Sequence, residues 1–314
     1  MPKTDAHAAE HEITVGAPAA DIYDVIAEVR HWPRIYPPTI YADRIETGER
    51  EERIRIWATA NGEAKTWTSR RTLDPERRRI TFRQEVSSPP VAFMAGTWIV
   101  EQLSQSESRI RLLHEFRAVD GDADGLKWIS EAVDRNSRSE LAGLKRTLER
   151  AQLAGEDHFS FEDTVRIAGS AEDVYGFVND AHLWAQRLPH VEEAKLSEDT
   201  PGLQRLQMVT RAPNGSTHAT ESFRVCFPHH RIAYKQIAMP ALMTVHAGCW
   251  SFEPDGAGTV ATSQHTVVLN TENITAILGP DATAADARKH VQEALSGNSR
   301  TTLEHAKRYA EQRS

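Results

Sequence analysis

The segment Ala64 to Leu73, AKTWTSRRTL, is where the sequence sets out groups able to do chemistry. If it is a strand, alternate side chains point to opposite faces, so Lys65, Trp67, Ser69 and Arg71 share one face and Thr66, Thr68, Arg70 and Thr72 the other. The first face carries the segment's aromatic residue and is expected to look inward, placing a guanidinium beside a hydroxyl in a partly apolar setting. A charge there is costly to bury unless a ligand oxygen or an acidic side chain pairs with it. If it faces a ligand hollow, Arg71 is expected to matter for chemistry and little for stability. A solvated face is the competing reading, and with Arg70 and Arg71 in tandem one of the two must be exposed.

A second group comes from Ser108 to Ala118, where Ile110, Leu112, His114, Phe116 and Ala118 fall on one face. A lone histidine in such a row is commonly a satisfied core residue. A neutral imidazole and a fixed cation projecting into one hollow would instead suit proton transfer beside a polarised carbonyl. Trp98, on Gly96 to Val100, and Trp32 with Tyr36 would add flat apolar walls, either as core or as a pocket for a planar substrate.

Positioning these residues requires a sheet and something to cover it. Pro18 opens an amphipathic run from Ala19 to Val29, with Ile22, Val25, Ile26 and Val29 at helical spacing. Beyond Pro33, Pro37 and Pro38 the chain reads as consecutive strands from Ile40 to Ala118. They are punctuated at Gly48, Asn61-Gly62, Asp74-Pro75, Pro89-Pro90 and the polar SQSES. Turns this closely spaced imply an antiparallel sheet. After Gly125 a long helix is expected, with Trp128, Ala132, Leu141, Leu144 and Leu148 on or near one stripe. One long helix laid across a curved sheet leaves a hollow where side chains do not meet.

The pattern occurs twice. Tyr23 and Tyr175, Trp32 and Trp184, and Arg79-Ile80 and Arg231-Ile232 all lie 152 positions apart, and Asn136-Ser137-Arg138 recurs 162 positions on as Asn298-Ser299-Arg300. About ten residues are therefore inserted late in the second half, whose long helix is expected around Asp286 to Gln312. The expected organisation is two domains, 1–154 and 155–314.

Bulk properties narrow the function. The 314 residues are 39% hydrophobic and 26% charged, a globular balance, and no run approaches a membrane span. The N-terminal MPKTDAHAAEH lacks the apolar run of a secretory signal, so a cytoplasmic location is expected. Cys226 and Cys249 are too few for a disulfide framework or a four-cysteine metal site and read as packed thiols. A net charge of −8 argues against nucleic-acid binding. There is no Gly-rich phosphate loop, His-Glu-x-x-His or Gly-x-Ser-x-Gly. The second-half histidines, His246 and His265 among them, read as surface or core residues rather than metal ligands.

With these residues in place the sequence resembles the polyketide aromatase/cyclases of the START-like, helix-grip superfamily, in their didomain form acting beside type II polyketide synthases. The resemblance rests on Trp32-Pro33, Trp67-Thr68-Ser69-Arg70-Arg71, Val91-Ala92-Phe93-Met94 leading to Trp98, and His114-Glu115-Phe116, and it spans both halves. It implies an α+β fold of two tandem helix-grip domains, each a curved antiparallel sheet wrapped on a long C-terminal helix. The implied activity is cyclisation of a carrier-bound, reduced poly-β-ketone by aldol chemistry, then dehydration to an aromatic first ring. No cofactor or metal is implied; the partners are an acyl carrier protein and synthase subunits, with no membrane. Trp67, Ser69 and Arg71 match the family's pocket strand, and His114 matches a neighbouring-strand position. The family's pocket tyrosine corresponds to Tyr36 or Tyr41.

On this resemblance the catalytic set is Arg71, Ser69 and His114, and the substrate wall is Trp32, Tyr36, Tyr41, Trp67 and Trp98. Aligned at 152, Trp67, Ser69 and Arg71 become Ala219, Glu221 and Phe223, so the second domain, though it keeps Trp250 and His265, is expected to lack the anchoring cation and hold a degenerate pocket. Arg77-Arg78-Arg79, in an acidic protein, are a candidate patch for the acidic carrier. Two other functions fit the fold: a START-like carrier of an apolar molecule without turnover, which needs the cavity but not the three residues together, and a scaffold within the synthase.

Overall fold

The alternating segments of the first half form one antiparallel sheet. In the computed structural model, which describes residues 6–152, 157–211, 215–256 and 258–313, the elements are β1 (His7–Val15), α1 (Ala19–Ala27), α2 (Trp32–Ile35), β2 (Thr39–Thr47), β3 (Glu51–Ala60), β4 (Glu63–Asp74), β5 (Arg79–Val86), β6 (Val91–Gln102), β7 (Ser108–Ala118) and α3 (Ala123–Gln152). The seven strands lie in the order β1-β7-β6-β5-β4-β3-β2. Asn61 and Gly62 both take positive φ, the conformation a two-residue hairpin between β3 and β4 requires. The run expected to Val29 stops as an α-helix at Ala27, because Glu28 turns extended and its carboxylate accepts from the Arg30 amide at 3.2 Å. Helix α3 packs on β1 and β7, and Ile129, Leu141, Leu144 and Leu148 are buried beneath it.

The second half repeats the plan with β8 (His158–Ile167), α4 (Ala171–Asn179), α5 (Trp184–Arg187), β9 (Val191–Thr200), β10 (Leu203–Arg211), β11 (Thr217–Phe227), β12 (Arg231–Ala238), β13 (Met243–Asp255), β14 (Gly258–Leu269), α6 (Ile274–Leu278) and α7 (Ala284–Glu311). Its sheet order is β8-β14-β13-β12-β11-β10-β9. The extra residues inferred from the change in spacing fall between β14 and α7, where α6 sits before a Thr283–Asp286 capping box opens the long helix. The chain divides into two compact units, Met1–Gly155 and Glu156–Ser314; the expected boundary at 154/155 lies outside the described residues. Cys226 is buried and Cys249 half-buried, both as free thiols. Among the described residues no helix is long and apolar enough to cross a membrane.

Candidate active site

In the first unit sheet and helix enclose an empty volume of about 1070 Å³, counting its mouth, lined by Trp32, Tyr36, Trp67, Ser69, Arg71, Trp98 and His114 among others. Strand parity on β4 and β7 brings the three candidate catalytic residues to one wall. The aromatic wall is built by contact: Tyr36 stacks on Trp98 at 6.0 Å and meets Trp32 edge-on at 5.4 Å. Tyr41 does not join it. Its neighbours Ile40 and Ala42 are buried, and Tyr41 itself packs its ring across the strand pair on Trp57, at 5.6 Å, away from the cavity residues. Of the two tyrosines after the Trp-Pro turn, Tyr36 is the cavity residue.

Arg71 is 2% exposed, and its surroundings differ from those expected of a free anchoring cation. Its Nε donates to Glu52 Oε1 at 2.8 Å and Nη2 donates to the same oxygen; Nη1 and Nη2 also donate to the carbonyls of Ile26 (3.2 Å) and Ala27 (2.7 Å). Arg44 holds the other Glu52 oxygen at 2.7 Å, and the Arg71 guanidinium lies 5.0 Å over the Trp32 ring. Four of the five N–H groups are thereby engaged, which leaves one on Nη1. Burial lowers the Arg71 pKa and the Glu52 charge opposes that shift. The expectation that Arg71 bears little on stability is therefore corrected: it is half of a buried ion pair. Glu52 was the missed residue, and its place opposite Arg71 becomes visible only when β3 pairs with β4.

The His114 side chain makes no hydrogen bond among the described residues. Its Nδ1 is buried without a partner, its ring meets Phe82 edge-on at 5.5 Å, and burial pushes its pKa down to about 4. The close approach of Phe82 depends on Gly96, which pairs with His114 across the strands; a Cβ there would lie 2.4 Å from the Phe82 ring. On α3, one turn beyond Asn136, the cavity also holds Glu140, which the stripe of apolar residues did not bring to notice. Glu140 is half-buried on the cavity wall, and desolvation pushes its carboxyl up to about 8. At neutral pH the pocket thus holds an unprotonated imidazole and a protonated carboxylic acid.

The second unit encloses a larger empty volume, about 1490 Å³ on the same basis, and here the sequence alignment is overturned. Ser222 and Arg224, not Glu221 and Phe223, line the cavity. Ile54 pairs with Ser69 and Glu52 with Arg71; in the second sheet Leu206 pairs with Ser222 and Gln204 with Arg224. The second β-hairpin is longer by one residue, so the correspondence on this strand is 153 while 152 resumes at Phe82 and Tyr234, which face Arg71 and Arg224 respectively. A slip of one residue moves a strand's whole side-chain set to the other face. The anchoring cation is present: Arg224 is 2% exposed, donates to the carbonyls of Val178 (2.7 Å) and Asn179 (3.3 Å), and lies 5.6 Å over Trp184.

Comparison with known proteins places this geometry. The family model for "Polyketide cyclase / dehydrase and lipid transport" matches residues 6–149 and again 158–311. The chain belongs to this family. It is 50% identical to the granaticin polyketide synthase bifunctional cyclase/dehydratase of Streptomyces virginiae, over 93% of this chain and 96% of that one. It is 42% identical to the actinorhodin polyketide synthase bifunctional cyclase/dehydratase of Streptomyces coelicolor, over 98% of each. Among solved structures, the di-domain aromatase/cyclase BexL of the BE-7585A pathway superposes with a TM-score of 0.87 at 59% identity, covering 97% of this chain and 99% of that one. StfQ of the steffimycin pathway gives 0.86 at 32%, with the same coverage. The tandem helix-grip α+β fold and the polyketide cyclase/dehydratase class read from the sequence are thus both borne out. As a member of this family the chain is an enzyme of polyketide biosynthesis.

Proposed function

We propose that this protein folds a carrier-bound, reduced poly-β-ketone inside its first cavity, closes the first ring by aldol addition and releases the product towards aromatisation. The observation that carries this is the pair of unpartnered titratable groups, His114 and Glu140, displaced in opposite directions in one aromatic-walled cavity. His114 accepts a proton from the carbon between two carbonyls. The resulting enolate carbon attacks a carbonyl further along the chain, and Glu140 protonates the alkoxide formed; His114 then returns its proton to the carboxylate. Ser69 and the remaining Nη1–H of Arg71 hold the enolate oxygen, while the Glu52 pair fixes the guanidinium in place. Trp67, Trp98, Trp32 and Tyr36 shape the chain for closure. An acyl carrier protein of the synthase delivers the substrate.

The test is a synthase reconstituted with carrier protein, its products separated by chromatography and mass spectrometry. His114→Ala and Glu140→Gln should each slow ring closure by about 10²–10⁴-fold, the range for a positioned acid or base, and leave uncyclised or spontaneously cyclised shunt products. A folded His114→Ala protein with the wild-type product profile and rate would reject the reading. Recovery of an intact stoichiometric apolar ligand from the purified protein, with no change in synthase products, would favour a carrier instead.

A further inference from the structure

The cavity of the second domain carries its own proton-transfer apparatus. The Tyr234 hydroxyl lies 2.9 Å from His265 Nδ1 and 3.3 Å from His246 Nε2, and His265 Nε2 lies 2.7 Å from Ser299 Oγ. Burial lowers the pKa of His265 to about 4 and that of His246 also, so both rings are neutral. His246 Nε2 also lies 3.0 Å from His265 Nδ1, and Ser263 Oγ lies 3.1 Å from His265 Nε2. The contacts allow a relay in either direction; in the one that leaves His265 Nδ1 free to accept, His246 Nε2–H donates to the Tyr234 oxygen, Tyr234 O–H donates to His265 Nδ1, and His265 Nε2–H donates to Ser299. Tyr234, His246, His265 and Ser299 all line the cavity, together with Ser222 and Arg224.

The first domain shows that the fold does not need this network. At the corresponding places it has Phe82 for Tyr234 and Met94 for His246, and its His114 side chain is left without hydrogen bonds. A packed apolar cluster serves the first domain at the same place, so the polar network on this cavity wall is not required by the fold. The arginine departs in the same sense. Where Arg71 is neutralised by Glu52, Arg224 faces Gln204, and among the described residues no carboxylate lies within ion-pair distance of it, Glu198 and Asp180 acting on its charge only from further away. Gln204 Oε1 is buried and unsatisfied. Cavity and cation together fit a ligand on which negative charge develops at an oxygen.

We propose that the second cavity is a separate dehydration site for a cyclic β-hydroxy ketone, with Tyr234 as its proton-transfer residue, His265 as the positioning residue behind it, and Arg224 with Ser222 as the oxygen-holding pair. The proton on the carbon between the ketone and the carbinol passes to the Tyr234 oxygen as the tyrosine proton moves to His265 Nδ1, and the enolate oxygen forms against Arg224. The proton then returns through Tyr234 to the β-hydroxyl, the C–O bond breaks, water leaves, and the electron pair closes the carbon–carbon double bond of an enone. No redox partner is needed. The substrate class rests on the reading of the first cavity as a ring-closing site; the chemistry of the second does not.

A soluble probe separates the two. The full-length protein is supplied with 3-hexyl-3-hydroxycyclohexanone, a ring that is already closed, and enone formation is followed by ultraviolet absorbance. The wild-type protein should accelerate loss of water, Tyr234→Phe should reduce kcat about a hundredfold or more with the fold unchanged by circular dichroism, and Arg224→Met should do so by a similar factor. His265→Gln should lower kcat with KM within about twofold and alter the pH dependence of kcat, which a merely structural change would not do. Failure of the wild-type protein to exceed the uncatalysed rate, or a Tyr234→Phe rate equal to wild type, would overturn the second site while leaving the first cavity to be judged on uncyclised chains.

Discussion

The two cavities share a frame and differ in how each handles the same buried arginine. In the first, Arg44, Glu52 and Arg71 form a charged triad under the cavity wall. In the second, Leu196 and Gln204 stand at the first two positions, and Arg224 has no ion pair among the described residues, with Glu198 and Asp180 acting on it only from further away. The cation is thus structural where it is paired and available where it is not. The titratable groups divide the other way. The first cavity leaves His114 and Glu140 unpartnered, whereas the second places Thr302, bonded to the Asn298 carbonyl at 2.9 Å, where Glu140 would be and ties His265 into a relay. A duplicated domain can diverge in chemistry by keeping a buried cation and losing the carboxylate opposite it on the neighbouring strand.

The sharpest way to break this comparison is to remove each arginine. Arg71→Ala leaves Glu52 buried with only Arg44, and loss of one member of a buried pair typically costs about 3–5 kcal/mol; urea unfolding followed by near-ultraviolet signals should show a loss towards the lower end. Arg224→Met strands no carboxylate and should change stability by less than about 1.5 kcal/mol. Equal losses would mean that Glu198 and Asp180 compensate Arg224 as strongly as Glu52 compensates Arg71. Gln204→Glu is the complementary change: it would give the second domain the first domain's pair, and it should reduce the dehydration of a closed ring about tenfold while ring closure proceeds.

How much of this was legible in the sequence depends on which contacts are local. Strand parity put Trp67, Ser69 and Arg71 on one face of β4 and His114 on the apolar face of β7 because alternation needs no knowledge of partners, and the repeat revealed two domains because Trp32/Trp184 and Tyr23/Tyr175 keep one spacing. Glu52 was not legible, since its meaning comes from register: nothing in GEREERIRI marks it as the residue opposite Arg71. Glu140 was hidden because a charged residue beside Leu141 reads as the solvated edge of the helix stripe. The second pocket was misread for a single reason. The 152 spacing holds on both sides of β11 but not along it, and a one-residue change in a hairpin exchanges Glu221 and Phe223 for Ser222 and Arg224. The Tyr234–His246–His265 cluster joins three strands and has no local signature.

Glu140 offers a smaller, pH-based contrast between the halves. Its folded carboxyl titrates at about 8, above the ordinary value of 4.5, so between these pH values the unfolded chain has lost this proton while the folded chain keeps it. The unfolded state then binds fewer protons, and this group's contribution to stability is fully present below about pH 4.5 and is lost as pH rises through about 8. Glu140→Gln should lack that component, so the stability difference between variant and wild type should move in the variant's favour from pH 5 to pH 8. A difference that stays flat over this range would show that Glu140 is ionised in the folded protein, and would remove it as the proton donor of the first cavity.

The smallest expected effect concerns the surface that meets the carrier. Arg77 and Arg78 lie at the turn between β4 and β5 and Arg79 opens β5, and Asp74 caps the bend by accepting from the Arg77 amide at 3.0 Å and from its guanidinium at 3.1 Å. Arg77 and Arg79 are exposed. The matching turn of the second domain reads Pro228-His229-His230-Arg231, with one arginine in place of three. If the carrier docks at the first turn, reversing Arg77, Arg78 and Arg79 to glutamate should raise KM for carrier-bound substrate several-fold at low ionic strength and much less at high salt, because exposed charges are screened within about 10 Å at 0.1 M. Turnover of a carrier-free substrate should not change. The comparison supplies the control: replacing His229, His230 and Arg231 with glutamate should leave carrier-dependent KM for ring closure as it was. If both turns respond alike, what is being read is the net charge of an acidic protein and not a docking surface on the first domain.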